Sequence, residues 1–326
     1  MLYIYIFLYL IMINKINNNI IEYIISEESK GLRVDQAISK AYEEYSRTLI
    51  QKWIKKEKIL VNGKTTRAKN ILSLHDKITI FPEENISADE IIPENIKIDI
   101  NFEDEDLLVI EKNINIVSHP ADSVKKGTIA NGLVYKFPEL INLPRAGLIH
   151  RLDKDTTGLL IVAKNLKSYK LLTQAMQNRQ IKKNYIAYVH GQIMKNDTIN
   201  KPISRHKTNR KKMAVNLEGK EAITSYEVLQ NFNFFTKLKI NLLTGRTHQI
   251  RVHMNFLGHP LIGDQTYGLN PNKCKSSSNY IKKFPRQALH AEKLEFSHPI
   301  LKKRIILNSS LPKDLSELHI EIKKNE

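Results

Sequence analysis

Between His150 and Ala163 nine mostly polar residues, His-Arg-Leu-Asp-Lys-Asp-Thr-Thr-Gly, run directly into five apolar ones, Leu-Leu-Ile-Val-Ala. The apolar run is short and partly β-branched, which reads as a buried strand. The polar stretch is then a loop that feeds the strand and ends at Gly158. Charged groups at the mouth of a buried strand are held in place, and a carboxylate held there can act as a base or a nucleophile. Two other readings stand beside this one. Asp155, Thr156 and Thr157 also suit turn or capping chemistry with no function. Asp153 and Asp155 form an Asp-x-Asp pair, but no further carboxylate or histidine set at ligand spacing accompanies it, so no metal site is expected.

Two other stretches carry chemistry-bearing groups. Arg246-Thr247-His248-Gln249-Ile250-Arg251-Val252-His253 opens a helix, with Ile250, Met254 and Leu257 on one face and His248, Arg251 and Asn255 on another. His248 and His253 are poorly spaced to share a metal and read as hydrogen-bonding residues. Residues 202–214 hold the densest basic run, with Arg205, His206, Lys207, Arg210, Lys211 and Lys212. No hydrophobic periodicity runs through it, so it reads as a loop. It could meet phosphates, or it could be a solvated surface loop.

Several elements must position these groups. After Asn165, the residues Tyr169, Leu172, Ala175 and Met176 recur at helical spacing, giving a helix that ends near Arg179. Asn184–Val189 follows as a strand and places Tyr185 near its start, where a tyrosine most often packs. Thr224–Leu229 and Phe235–Leu243 alternate and read as antiparallel strands. Leu107–Ile110 is a further buried strand. Upstream, Val34, Ala37, Ile38 and Ala41 form one apolar helical stripe. A second helix, N-capped by Ser46, carries Leu49, Ile50, Trp53 and Ile54 on one side and Arg47, Lys52, Lys55 and Lys56 on the other. Ile59–Val61, then Asn62-Gly63, signals a tight hairpin. Between these two regions, residues 83–97 are acidic and proline-marked and read as a linker.

Lys and Arg number 51 against 34 Asp and Glu, a net charge of +17, which favours a polyanionic partner. The excess of lysine also accompanies a composition rich in isoleucine and asparagine. A single cysteine, Cys274, excludes an intramolecular disulfide and suits a reducing, cytoplasmic setting. Leu2–Ile13 is apolar but too short to span a bilayer, and it lacks the basic start and small-residue cleavage site of a signal peptide. Residues 1–11 are expected to be a dispensable extension, and no membrane partner is expected.

His-Arg-Leu-Asp-Lys-Asp-Thr-Thr-Gly-Leu resembles the signature loop of the RluA-type pseudouridine synthases. Thr-Gly-Arg-Thr-His-Gln-Ile-Arg-Val-His, with Gly258–Asp264 and Tyr267-Gly268 after it, resembles the family's second signature. Lys183-Asn184-Tyr185-Ile186-Ala187-Tyr188-Val189-His190-Gly191 resembles its tyrosine strand. The resemblance implies that Asp153 is catalytic, that Arg251 pairs with it and that Tyr185 meets the target base. It implies that Arg151 fills the gap left by a flipped nucleotide. Thr157 stands where many members carry serine, and both supply a hydroxyl. Residues 33–37, Ser46-Arg47 and Ile59–Lys64 resemble an S4 RNA-binding domain.

The expected fold is α+β. Residues 1–27 would be an extension, 28–82 a small S4-like domain, 83–97 a linker and 98–326 a catalytic domain with a mostly antiparallel mixed sheet and flanking helices. The expected RNA contacts are Arg151, His150, Arg47, Lys52, Arg205, His206, Lys211, Arg246 and His248. Pro144–Gly147, Ile203–His206 and Arg286–His290 match the branch acting on 23S ribosomal RNA. That match implies 23S rRNA or an assembling large subunit as the partner, with helix 69 as the region. A monomer is expected. No cofactor is expected, because isomerising a uridine neither oxidises nor hydrolyses it. The alternatives are a sister enzyme with another rRNA or tRNA target, or a non-catalytic RNA-binding ribosome-assembly factor using the same fold, against which the intact Asp153, Tyr185 and Arg251 argue.

Overall fold

The computed structural model describes residues 20–42, 45, 47–82, 91–120, 124–209, 212–268, 270 and 274–325. The chain divides into two compact units, residues 1–87 and 88–326. Ser46, Arg210, Lys211 and residues 1–11, all named above, lie outside the described residues.

The first unit contains β1 (Ile21–Ile24), α1 (Val34–Ala41), α2 (Arg47–Lys55), β2 (Ile59–Val61), β3 (Lys64–Thr65) and β4 (Lys77–Ile80). The strands form an antiparallel sheet in the order β1-β4-β2-β3. Val34, Ala37 and Ile38 of α1 and Ile50, Trp53 and Ile54 of α2 pack on Ile59, Ile78 and Ile80. Asn62 and Gly63 both have positive φ (51° and 74°), as a two-residue hairpin turn requires. The expected extension is corrected here. Ile21–Ile24 pairs along β4 from Ile21↔Ile80 to Ile24↔Lys77, which covers an edge that β4 would otherwise expose.

The second unit contains β5 (Asp99–Glu103), β6 (Leu107–Lys112), α3 (Ile129–Lys136), β7 (Thr157–Ala163), α4 (Leu166–Gln177), β8 (Lys182–His190), β9 (Asp197–Asn200), β10 (Ile203–Arg205) and β11 (Met213–Val215). It continues with β12 (Ile223–Asn231), β13 (Phe235–Leu242), α5 (Gln249–Phe256), α6 (Asn279–Lys282), β14 (Leu289–Ser297), β15 (Arg304–Asn308) and α7 (Lys313–Lys324). Nine strands build one sheet, β5-β6-β7-β14-β8-β13-β12-β9, with β15 on β14. The β7–β14 pair is parallel and the other pairs are antiparallel. The fold is therefore α+β with a mostly antiparallel mixed sheet.

The apolar run of β7 is continuous because both of its faces are covered. Leu160 and Val162 enter the main core, while Leu159, Ile161 and Ala163 pack with Leu172 of α4. β8 is likewise buried on two sides, Tyr185, Ala187 and Val189 facing one core and Ile186 and Tyr188 another. Gly158, with φ +114°, lies where a Cβ would stand 2.2 Å from the Ala291 carbonyl oxygen of β14, so only glycine fits that crossing.

Two further expectations are corrected. Part of the expected linker belongs to the second unit: Ile91 is buried in its main core, and the Asn131 side chain of α3 donates to the Ile92 carbonyl at 2.7 Å. The basic stretch at 202–214 contains an antiparallel hairpin, β10–β11, rather than only a loop. Ile203 anchors it by packing with Ala222 and Val252.

Candidate active site

The loop before β7 is pinned almost residue by residue. Leu152 exchanges hydrogen bonds with Ser118, its carbonyl accepting from Oγ at 3.0 Å and its N–H donating to Oγ at 3.2 Å. Buried Lys112, at the end of β6, donates from Nζ to the Lys154 carbonyl at 2.7 Å and to the Asn113 carbonyl at 2.7 Å. Arg286 donates to the Asp155 carbonyl at 3.1 Å while its other nitrogens grip Asp314 at 2.6 and 3.0 Å. Gln287 donates to Thr156 Oγ1, and Thr157 Oγ1 shares a hydrogen with His290 Nδ1 at 2.9 Å. Asp153 thus projects from a backbone with little freedom to move, which catalysis by positioning needs.

Arg251 of α5 meets that carboxylate, NH1 donating to Asp153 Oδ2 at 3.0 Å. Its other face is held by Asp264, with Nε to Oδ2 at 2.7 Å and NH2 to Oδ1 at 2.8 Å. Asp264 is fixed in turn by the backbone N–H groups of Thr266 and Tyr267. The Tyr267 ring lies under the guanidinium, 5.1 Å from centroid to Cζ. Burial works against both buried charges, but their mutual hydrogen bonds and charge win. The Arg251 pKa is raised and that of Asp264 is lowered.

Asp153, Arg251, Tyr185, Arg151, Arg246 and His248 all line one pocket. Burial, and then the charge of Asp153, raises the Tyr185 phenol pKa, so the hydroxyl keeps its proton. His248 Nδ1 is 2.9 Å from the Tyr267 hydroxyl, and burial lowers its pKa. The helix begins at Gln249, later than the motif suggests, because His248 takes a left-handed backbone (φ 57°) as its cap. The Gln249 side chain braces the preceding turn by accepting from Thr244 Oγ1 and the Arg246 N–H. Arg246 Nε donates to the Glu221 carbonyl at 2.9 Å.

The other expected contacts fall elsewhere. Arg205 and His206 sit on the β10–β11 hairpin, where the Met213 N–H donates to the Tyr267 hydroxyl at 2.8 Å. His206 Nδ1 accepts from the Thr208 and Asn209 N–H groups. Arg47 and Lys52 lie on α2 of the first unit. Arg47, at 2.9 Å, joins Arg33 and Gln51 around the buried Asp35 carboxylate, which gives it a structural task. His150, expected as an RNA contact, lines a cleft with Arg145, Arg151 and Lys183 and also has a structural task. Its Nε2 accepts the Ile161 N–H at 3.1 Å, and burial, with Lys183 and Arg145 nearby, lowers its pKa to about 3.

Asp264, Lys112 and Arg286 are not among the expected site residues, although Asp264 and Arg286 lie inside the matched motifs. Each acts through a partner distant in the chain, and residue spacing carries no record of that pairing.

One pocket thus joins a clamped carboxylate–guanidinium pair, a buried tyrosine and two exposed arginines, Arg151 and Arg246. The RNA pseudouridylate synthase family model matches residues 106–256. Ribosomal large subunit pseudouridine synthase D of Escherichia coli (strain K12) is 40% identical over 299 residues, covering 90% of this chain and 91% of that protein. The protein of the same name from Haemophilus influenzae (strain ATCC 51907 / DSM 11121 / KW20 / Rd) is 39% identical over 311 residues, with 90% and 92% covered. The chain belongs to the RNA pseudouridylate synthase family and is an isomerase acting on RNA uridines. In fold it is similar to human RNA pseudouridylate synthase domain containing 4, with TM-score 0.54 and 21% identity over 69% of this chain and 93% of that one. Among the described residues no helix is long and apolar enough to cross a membrane.

Proposed function

We propose that this chain converts uridines of large-subunit ribosomal RNA to pseudouridine, in the helix 69 region of 23S rRNA, with Asp153 as its catalytic carboxylate. The choice of target rests on the names of the relatives and on the matched motifs. The observation that carries the chemistry is the 3.0 Å contact of Asp153 with an Arg251 already locked onto Asp264.

The reaction breaks the bond from ribose C1′ to N1, turns the uracil, joins C1′ to C5 and moves the C5 hydrogen to N1. Atoms balance with no redox partner or nucleotide triphosphate. Asp153 serves as base or nucleophile at the ribose. Arg251 keeps it ionised and oriented, and the planar fork suits that task better than a lysine. Asp153 Oδ1 accepts no hydrogen bond among the described residues, so that oxygen is free for the sugar. The target nucleotide must leave its stack, at a cost of a few kcal/mol. Arg151, exposed two residues before Asp153, fills the space left behind, and Tyr185 stacks on the turned uracil. The first unit serves as an S4-like module that holds the surrounding RNA, and the acting form is a cytoplasmic monomer.

Incubating the purified protein with unmodified 23S rRNA fragments, followed by site-resolved pseudouridine detection, tests this reading. Pseudouridine in the helix 69 fragment is the expected result. Modification confined to another rRNA region or to tRNA would reassign the target, and none in any RNA would reject the activity.

A further inference from the structure

Beside the reaction pocket, and sharing Arg151, Tyr185 and Arg246 with it, lies a second cleft of about 440 Å³. Five of its lining residues are arginine or lysine, and none is aspartate or glutamate. Arg179 is paired with Glu221 outside the lining. Lys183 is different. It is 6% exposed, and its ammonium has one hydrogen-bond partner among the described residues, the thioether sulfur of Met176 at 3.5 Å. Sulfur is a weak acceptor, so a buried cation is left almost without a partner. Gly245 also lines the cleft, where an added Cβ would stand 3.8 Å from the Lys183 ammonium. Arg145 joins from a turn in which it and Ala146 both hold positive φ (58° and 51°), and its guanidinium makes no hydrogen bond among the described residues.

We propose that Lys183 and Arg145 form a binding site for one phosphate of the RNA strand, next to the nucleotide that enters the reaction pocket. This rests on the function proposed above. Lys183 and Tyr185 are two apart on β8 and therefore share a face, about 6.6 Å from one another along the strand. A base stacked on Tyr185 brings its own or an adjacent phosphate into the cleft. A phosphate supplies the acceptors that the ammonium and guanidinium lack. Burial lowers the Lys183 pKa to about 8, which leaves it mostly charged at neutral pH, and a bound anion would hold the proton more firmly.

The test is a substitution cycle on binding. A 23S rRNA fragment carrying the modified uridine is prepared with single methylphosphonates at successive phosphates around it, and affinity is measured across a salt series. Lys183→Met is expected to weaken binding about tenfold and to lower the salt slope by about one, while Lys183→Arg stays close to wild type. One methylphosphonate should cost the wild type a similar factor and cost Lys183→Met almost nothing. Unchanged affinity and slope in Lys183→Met, or losses that add at every phosphate, would overturn the site. Should Lys183→Met fail to fold, Arg145→Met taken through the same cycle decides between the same two outcomes. Failure of the wider reading looks different, because the wild type would then make no pseudouridine while the phosphate scan still reports on binding.

Discussion

Arg251 and Asp264 are joined by two hydrogen bonds, at 2.7 and 2.8 Å, and only the third guanidinium nitrogen reaches Asp153. The Asp153 carboxylate therefore meets a cation whose position is set elsewhere. Removing one member of such a buried set leaves an uncompensated charge, which typically costs about 3–5 kcal/mol.

Arg251→Lys should lose the fork geometry while keeping the charge. The expected outcome is a fall in kcat of about 100-fold or more with RNA affinity within about threefold of wild type. Asp264→Asn should move kcat the same way, by about 10-fold or more, since it loosens Arg251 without touching substrate. Single-turnover kinetics beside a binding titration separates the two parameters. Equal losses in affinity and rate would point to an RNA-contact role instead.

Lys112 ties the Asp153 loop through the Lys154 carbonyl, and burial brings its pKa down to about 7 despite the nearby charges of Asp155 and Asp153. Lys112→Met should release that carbonyl. We expect kcat to fall about 10- to 100-fold with RNA binding retained, because small displacements of a reacting group are costly. An unchanged kcat would show that Ser118 and Arg286 suffice to hold the loop.

His150 and His190 are both kept neutral by burial, with pKa values lowered to about 3 and about 4. In the unfolded chain each takes up a proton near pH 6.5, and the folded chain does not until much lower. Stability is therefore fully present above pH 6.5 and is lost as pH falls toward those values. Between pH 7 and pH 5 the wild type should lose on the order of 1–2 kcal/mol per histidine. His150→Gln, which can still accept the Ile161 N–H, should show a smaller loss over that window in denaturant titrations. An identical pH dependence in the variant would contradict the assignment.

Gly158→Ala would place a methyl group against the Ala291 carbonyl oxygen, at a φ of +114°. The parallel β7–β14 pair should open there, costing roughly 3 kcal/mol or more and dragging the Asp153 loop with it. Equilibrium unfolding measures this directly, and a cost below about 1 kcal/mol would be inconsistent with the crossing described.

Much of the site was readable before the fold. β7 announced itself because a strand buried on both faces must be apolar throughout, and the Asn62-Gly63 turn because few residues accept positive φ twice in succession. Asp153, Tyr185 and Arg251 came from matched motifs, and the fold brings all three to one pocket. Other features depend on contacts that local sequence does not encode. Asp264 lies 13 residues from Arg251, across a helix and a turn, and nothing in that spacing shows the pairing. β1 is a strand because β4 offers it an edge, and β10–β11 are strands because Ile203 finds a pocket beside Val252. His150 sits inside the signature yet serves the strand that follows it.

Asp153→Asn, assayed for both pseudouridine formation and RNA affinity on the same 23S rRNA fragment, tests the role proposed for that carboxylate. The substitution keeps shape and hydrogen-bonding capacity near Arg251 but removes the ionised oxygen. Turnover should fall below detection while affinity stays within about threefold of wild type. Full pseudouridine formation by this variant would rule out Asp153 as the catalytic carboxylate.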